Sequence, residues 1–211
     1  MGIGKRFFAL FYHNVLSSRG HPDLTDEFTR EIRMPLLAQA AGEVLEIGAG
    51  DGANLPYFPP EVHLTLLDPN PYLLKHVPAV AERLDRDNYQ TELAYAEELP
   101  FAAEHFDTVV TTHVLCSVRD QARVLTEIKR VLKPGGLFLF LEHVSAQPGT
   151  GTYRVQHTIN PAWKFVGDGC HLTRDTAAVI EAAGFSTLDI RSFKADGLSI
   201  VSPHIVGQAR K

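Results

Sequence analysis

The sequence predicts an α/β domain built on an open, mostly parallel sheet with helices on both faces. Three observations carry that expectation. The stretch Val44–Asn54 begins as a short apolar run, Val44, Leu45 and Ile47, and passes into Gly48, Gly50 and Gly52, the pattern of a buried strand feeding a tight turn. Further short apolar runs follow at 63–68, 90–94, 106–112 and 137–141, with helical periodicity between most of them. The 211 residues hold no repeat, low-complexity tract or linker, which suits a single domain over 1–211.

Composition narrows the class. Hydrophobic residues make up 45% of the chain, ordinary for a globular domain. The formal net charge of -5 argues against the basic face that nucleic-acid binding needs, so no nucleic-acid partner is expected. Two cysteines, Cys116 and Cys170, cannot make a disulfide framework, and the histidines show no H-x-x-x-H spacing, so no metal is expected. A reducing, cytoplasmic compartment follows as the default. At the front, Ile3, Phe7, Phe8, Leu10, Phe11, Val15 and Leu16 form an apolar stripe behind Lys5 and Arg6. Its unbroken apolar run is far shorter than the ~20 residues of a membrane span, and no small-residue cleavage site follows. The stripe reads as an amphipathic helix lying on the domain or over a pocket, with room for weak membrane-surface contact but no stable insertion.

The elements follow in order. Asp23 is placed to cap a helix running to about Ala40, with Leu24, Phe28, Ile32 and Leu36 on one face and Pro35 kinking or splitting it. Residues 1–42 are therefore a helical lead-in or lid. The glycine turn opens a helix that Pro56, Pro59 and Pro60 end. His63–Asp68 is the second strand, Tyr72–Leu84 a helix, Gln90–Ala94 the third strand and Phe106–Thr112 the fourth. Asp120 caps a helix with Ala122, Leu125, Ile128, Val131 and Leu132 on its apolar face, and Lys133-Pro134-Gly135-Gly136 breaks it. Leu137–Leu141 is apolar throughout, hence a central strand, and runs into Glu142 and His143. Residues 144–172 read as too polar and broken for regular elements, and so long an irregular stretch is more often functional than idle. Thr173 is placed to cap a last helix that Gly184 ends, and Phe185–Phe193 and Ile205–Arg210 are the final strands.

The glycine turn has the spacing G-x-G-x-G, which differs from the G-x-G-x-x-G of dinucleotide-binding turns. Glu46 precedes it where a pyrophosphate would be repelled, so a cationic or amine-bearing ligand is favoured over a nicotinamide dinucleotide. The run Glu46-Ile47-Gly48-Ala49-Gly50-Asp51-Gly52 resembles the nucleotide-binding loop of class I S-adenosylmethionine (SAM) methyltransferases. Asp68 at the end of the second strand, Glu97-Glu98-Leu99-Pro100-Phe101, and Leu132-Lys133-Pro134-Gly135-Gly136 before an apolar strand resemble further segments of that family, in the same order. The resemblance implies a Rossmann-like, seven-stranded, mostly parallel sheet with an antiparallel edge pair, and SAM as cofactor with S-adenosylhomocysteine as product. It implies contacts to SAM from Glu46, Gly48, Ala49 and Gly50. Asp68 is read as the acceptor for the ribose hydroxyls, with helix capping as the alternative, and Pro69 and Asn70 would flank the adenosine. Asn54 either lines the pocket or caps a helix. Many family members carry Asp-Ala before Glu-Glu-Leu-Pro-Phe; here Tyr95 replaces the Asp, which leaves adenine contact to the Ala96 backbone and Glu97. His113, just past the fourth strand, is placed to touch the methionine part of SAM or the acceptor.

Five segments narrow the resemblance: Leu67–Pro71, Val114–Val118, Glu142–Val144, Pro161–Lys164 and Gly167–Arg174. Together with Pro203–Gly207 they are similar to the animal methyltransferase-like alkyl-thiol S-methyltransferases, over residues 44–211. Those proteins carry a longer hydrophobic anchor in front, so the chain is expected to be a relative without that anchor. The resemblance implies methylation of a small thiol or hydrogen sulfide, with 144–172 shaping the acceptor pocket. The alternative is an oxygen or nitrogen acceptor on a quinone, phenol, lipid head group or other small metabolite. A thiol reacts as thiolate, so a base is called for. His143, His171 and His113 are the candidates, with Asp168 placed to hold an imidazole. Cys116 is expected to be a packing residue.

Overall fold

The computed structural model describes residues 29–195 and 200–211. Its strands are β1 (Glu43–Ile47), β2 (His63–Leu67), β3 (Tyr89–Glu92), β4 (Phe106–Thr112), β5 (Leu132–His143), β6 (Thr187–Lys194) and β7 (Pro203–Arg210). They form one seven-stranded sheet in the order β3-β2-β1-β4-β5-β7-β6. Strands β1 to β5 pair in parallel, and β7 runs antiparallel to both β5 and β6. This is the mostly parallel sheet with an antiparallel edge pair that the resemblance implies.

Alternation along the central strands explains why helices cover both faces. Val44, Leu64, Leu66, Val110 and Leu139 bury into one apolar cluster, with Leu37 of α1 (Met34–Leu37), Leu74 of α2 (Pro71–Leu74) and Val77 of α3 (Val77–Arg83). Leu45, Ile47, Val109, Phe138 and Phe140 point the other way. They join Leu125 and Ile128 of α4 (Gln121–Val131) and Ile180 of α6 (Thr176–Ala182). A parallel strand covered on both faces reads as a near-continuous apolar run, which is how β5 reads.

Several elements differ from the sequence expectation, each for a local reason. The glycine turn leads into a 3-10 turn, Leu55–Tyr57, in place of a helix, since Pro56, Pro59 and Pro60 leave too few backbone donors to propagate one. The Tyr72–Leu84 helix is two helices, α2 and α3, divided at Lys75-His76 just before Pro78. Asn70 caps α2, its side chain accepting from the Tyr72 amide, so helix capping falls to Asn70 and leaves Asp68 to another task. Asp175, not Thr173, caps α6. β3 ends at Glu92, before Ala94, and β5 starts at Leu132, its register shift absorbing Pro134–Gly136.

The largest correction concerns 144–172. Gly151–Val166 forms a sixteen-residue helix, α5, with Thr150 as N-cap and Pro161 inside it. The inward face of α5 is polar: Gln156 is fully buried, donates to the carbonyls of Val144 and Ile200, and accepts from the Ala146 amide. Asn160 accepts from the Leu172 amide. A helix held by hydrogen bonds on its buried face shows no apolar periodicity, which is the signal the sequence reading relied on.

Of the lead-in, a π-helical turn Thr29–Arg33 runs into α1, with Pro35 at its start and Leu36 and Leu37 buried. The Asp23 cap, Leu24, Phe28 and the apolar stripe at 3–16 lie outside the described residues. Among the described residues no helix is long and apolar enough to cross a membrane.

Candidate functional site

The chain enters the sheet at β1, moves outward through β2 to β3, then returns across to β4. The order therefore reverses between β1 and β4, and the crevice beyond their carboxyl ends is where an open α/β sheet binds its ligand. The glycine turn leaves β1 at that crevice, and His113–Val118 leaves β4 there. The two segments touch: a Cβ added to Gly48, whose φ is +72°, would meet Val114 Cγ2 at 2.4 Å.

Backbone hydrogen bonds fix the turn. The amides of Gly48 and Ala49 both donate to the Leu67 carbonyl at the end of β2 (2.7 and 3.0 Å). Asp68, 7% exposed, braces the neighbouring loops: one carboxylate oxygen accepts from the Gly50 amide at 3.0 Å and the other from the Asn70 amide at 2.7 Å. Asn70 is buried and Pro69 half-buried beside it.

Glu46 sits at the foot of the turn, 1% exposed. One of its oxygens accepts from the Asn54 amide group, which also donates to Thr112 Oγ1 at 2.8 Å. Asn54 thus ties β1 to β4 and makes no side-chain capping bond. The other Glu46 oxygen is buried with no hydrogen-bond partner among the described residues. Burial pushes the Glu46 carboxyl up to about 7, against the downward pull of Asn54 and Arg33, and Asp68 adds to the rise. An orphaned, hard-to-ionise carboxylate at a ligand crevice is a group awaiting a cation or a donor.

The 95–101 segment closes one side. Ala96 is buried, while Tyr95 is 45% exposed beneath the Arg119 guanidinium. The Glu97 carboxylate accepts from the Arg119 amide at 2.6 Å, and the Glu97 carbonyl accepts from Arg123 Nε at 2.8 Å. Of that pair, Ala96 faces the interior, and Glu97 holds the segment leading into α4 through one carboxylate oxygen and its carbonyl.

Across the crevice the strands deliver histidines and sulfur. His113, at φ +58°, places Nε2 3.1 Å from Nε2 of His204. His204 Nδ1 lies 3.0 Å from the Ser202 carbonyl and so carries the hydrogen there, which leaves its Nε2 to accept from His113. Burial holds His113 well below the usual imidazole range, helped by His204, Arg33 and His143, and burial brings His204 down to about 4. Glu142, fully buried, accepts from the amides of Val114 and Leu115 and fixes the post-β4 turn; burial raises its carboxyl to about 7.

His143 at the end of β5 has Nε2 3.0 Å from Cys170 Sγ, while its Nδ1 is buried with no partner among the described residues. Trp163 of α5 donates its indole N–H to the same sulfur at 3.3 Å. Cys116 lies against this pair, so Cys116, His143 and Cys170 present ligand atoms all within 4.8 Å of one another. The Cys116 thiol, His143 and Trp163 together bring the Cys170 thiol down to about 4, against the opposing effect of burial. Cys116 moves the other way, well above the usual thiol range, through its hydrogen bond to Cys170 and its burial.

His171 joins this group through its backbone alone, its amide donating to the Cys116 carbonyl at 2.9 Å. Its side chain is half-buried, and burial, Arg174 and Lys164 lower its affinity for a proton. Asp168 is exposed at φ +49° and makes no hydrogen bond to an imidazole among the described residues. Arg174 locks the assembly, donating to the carbonyls of Leu115 and Val118 at 2.5 and 2.6 Å. Among the histidines expected at the site, His113 and His143 are therefore drawn together with their rings 6.4 Å apart, and His171 is not. The sequence reading passed over His204, Trp163 and the pairing of Cys116 with Cys170. Cys116 and Cys170 are far apart in the chain, and only the return of the chain after α5 joins them.

Comparison with known proteins fits this geometry. Residues 45–140 match a family model described as a methyltransferase domain. Thiol S-methyltransferase TMT1A of Homo sapiens is 41% identical over 80% of this chain and 70% of its own. Thiol S-methyltransferase TMT1B of Mus musculus is 40% identical over 99% of this chain and 88% of its own. Among solved structures, a SAM-dependent methyltransferase from Aquifex aeolicus superposes with a TM-score of 0.63 at 14% identity, covering 92% of this chain and 94% of that one, which shows the fold. The chain is a SAM-dependent methyltransferase and belongs to the thiol S-methyltransferase family.

Proposed function

We propose that this enzyme methylates the sulfur of a small thiol or of hydrogen sulfide. The likeness to thiol S-methyltransferases over 80% of the chain carries the reading. Its support in the molecule is the sulfur-bearing cluster on the acceptor side of the crevice, in contact through Val114 with the glycine turn.

Bound SAM supplies a methyl group on a cationic sulfur, which is a strong electrophile. In this reading Glu46 faces the positive charge of the ligand, and Gly48, Ala49, Gly50 and Asn54 form the wall beside it. Asp68, held at the end of β2 by the Gly50 and Asn70 amides, accepts the ribose hydroxyls, and Pro69, Asn70, Ala96 and Glu97 border the adenosine. His113 lies between the methionine end and the acceptor. His143 orients the acceptor sulfur, and His171 and Asp168 stand at the entrance. Alignment of the acceptor lone pair with the breaking bond is worth several kcal/mol, and the packing of His113–Val118 on the glycine turn holds the two sides at fixed separation.

The test is purified protein with SAM and a panel of sulfide, alkyl thiols, phenols and amines, read by mass spectrometry. S-methylation with stoichiometric S-adenosylhomocysteine, giving a thioether from each thiol and methanethiol from sulfide, is expected for the sulfur acceptors alone. Methylation confined to phenols or amines would replace the sulfur reading with the oxygen or nitrogen one.

A further inference from the structure

We infer that Cys116, His143 and Cys170 form a zinc site whose fourth position takes the sulfur of the acceptor thiol. The inference rests on the thiol-acceptor reading for its purpose, but the site itself rests on geometry.

The three residues come from three separate elements: the turn after β4, the end of β5 and the segment after α5. Their ligand atoms lie within 4.8 Å of one another. A tetrahedral zinc ion with Zn–S near 2.3 Å and Zn–N near 2.0 Å needs sulfur atoms about 3.8 Å apart and sulfur–nitrogen separations of about 3.5 Å. The 3.0 Å between His143 Nε2 and Cys170 Sγ has to widen by about 0.5 Å, within the reach of a small rotation of either side chain. Two sulfurs and one imidazole are a soft donor set that suits zinc and excludes magnesium or calcium.

The surroundings have the features of a ligand shell. His143 is 5% exposed, so its ring is held out of solvent beside the two sulfurs. Trp163 donates N–H to Cys170 Sγ, and the Cys116 sulfur lies 3.4 Å from Ser117 Oγ. Outer contacts of this kind orient thiolate ligands. The turn bearing Cys116 is pinned by Glu142 and Arg174, so the donor atoms are held before any ion arrives. Three protein ligands with an open fourth position is the arrangement of catalytic rather than structural zinc.

The chemistry balances. The acceptor R–SH loses its proton to solvent on binding the ion as thiolate. Its sulfur lone pair then forms the bond to the methyl carbon. The carbon–sulfonium bond breaks with its electron pair remaining on the sulfur of S-adenosylhomocysteine. The resulting thioether is a weak zinc ligand and leaves. With two cysteine thiolates and a neutral imidazole the loaded site is uncharged, and the incoming thiolate makes it anionic toward a cationic donor.

The experiment loads the reduced, chelator-treated full chain with one equivalent of cobalt(II), a spectroscopic stand-in for zinc. Thiolate-to-cobalt charge-transfer absorption and the intense visible bands of a tetrahedral ion are expected, together with displacement by zinc at one equivalent. C116S, C170S and H143A should each lose at least tenfold in cobalt affinity, and bound S-adenosylhomocysteine reports that each variant is folded. Adding ethanethiol should shift the visible bands, and phenol should not. Absence of tetrahedral cobalt bands overturns the inference. So does a Cys116–Cys170 disulfide as the resting form, or a cobalt spectrum indifferent to ethanethiol. Undiminished thiol methylation by metal-free protein would also overturn it while leaving the thiol-acceptor reading intact. A spectrum that responds to ethanethiol in a protein that methylates no thiol would keep the site and remove that reading.

Discussion

Glu46 offers the most quantitative link between this structure and SAM binding. Its carboxyl is buried, its pKa is about 7, and one oxygen has no partner among the described residues. The groups that face it are Asn54, Arg33 and Asp68. A cationic ligand beside it would return the carboxyl toward its ordinary range and drive off the proton. At pH 6 about 0.9 of the free protein carries that proton, and at pH 8 about 0.1. SAM binding should therefore release about 0.9 proton at pH 6 and almost none at pH 8, and apparent affinity should weaken about tenfold between pH 8 and pH 6. Calorimetry in two buffers of different ionisation enthalpy counts the protons directly. Glu46→Gln should abolish the release and flatten the affinity profile. Equal heats in the two buffers at pH 6 for the wild-type protein would refute the reasoning.

Further consequences follow from the same contacts. Because Glu46 holds its proton more tightly folded than unfolded, it should cost the ligand-free fold up to about 3 kcal/mol as pH rises from about 4.5 to 7; Glu142, raised alike, adds a similar slope, so Glu46→Gln should remove about half of the combined fall in urea titrations. Asp68→Ala removes the brace between the Gly50 and Asn70 amides as well as the proposed ribose acceptor, so SAM and S-adenosylhomocysteine should both bind about 10- to 100-fold more weakly by calorimetry; unchanged affinity would contradict the assignment. Gly48→Ala forces a Cβ to 2.4 Å from Val114 Cγ2 at a φ of +72°, and should cost about 1–3 kcal/mol in denaturant unfolding while weakening SAM binding. Arg86 donates to the carbonyls of Leu55, Phe58 and Pro59 and holds the 3-10 turn below the site; Arg86→Met should lower stability by about 3 kcal/mol, read as a fall in Tm.

The sequence made the parallel core legible because its strands are buried on both faces. β5 is apolar throughout Leu137–Leu141, β1 carries Val44, Leu45 and Ile47 around Glu46, and β4 sets Val109 and Val110 among β-branched threonines, so each reads as a short buried strand. The placement of the glycine turn and Asp68 at one crevice was legible for a related reason: both lie next to strands whose ends are plain in the sequence. The acceptor side was not. α5 buries Gln156 and Asn160 through hydrogen bonds, so its periodicity is one of polar satisfaction and escapes a hydropathy reading. The prolines after the glycine turn were read as ending a helix that they in fact prevent. Cys116 looked like packing because nothing in the local sequence reveals Cys170, His143 and Trp163 around it.

The most direct test of the account is a single turnover with SAM carrying a trideuterated methyl group, ethanethiol as acceptor, and wild-type protein beside Asp68→Ala. The account predicts ethyl trideuteromethyl sulfide and S-adenosylhomocysteine in equal amounts from the wild-type protein, and the same product at lower yield from the variant at limiting SAM. Wild-type protein that binds SAM yet forms no labelled thioether would contradict it.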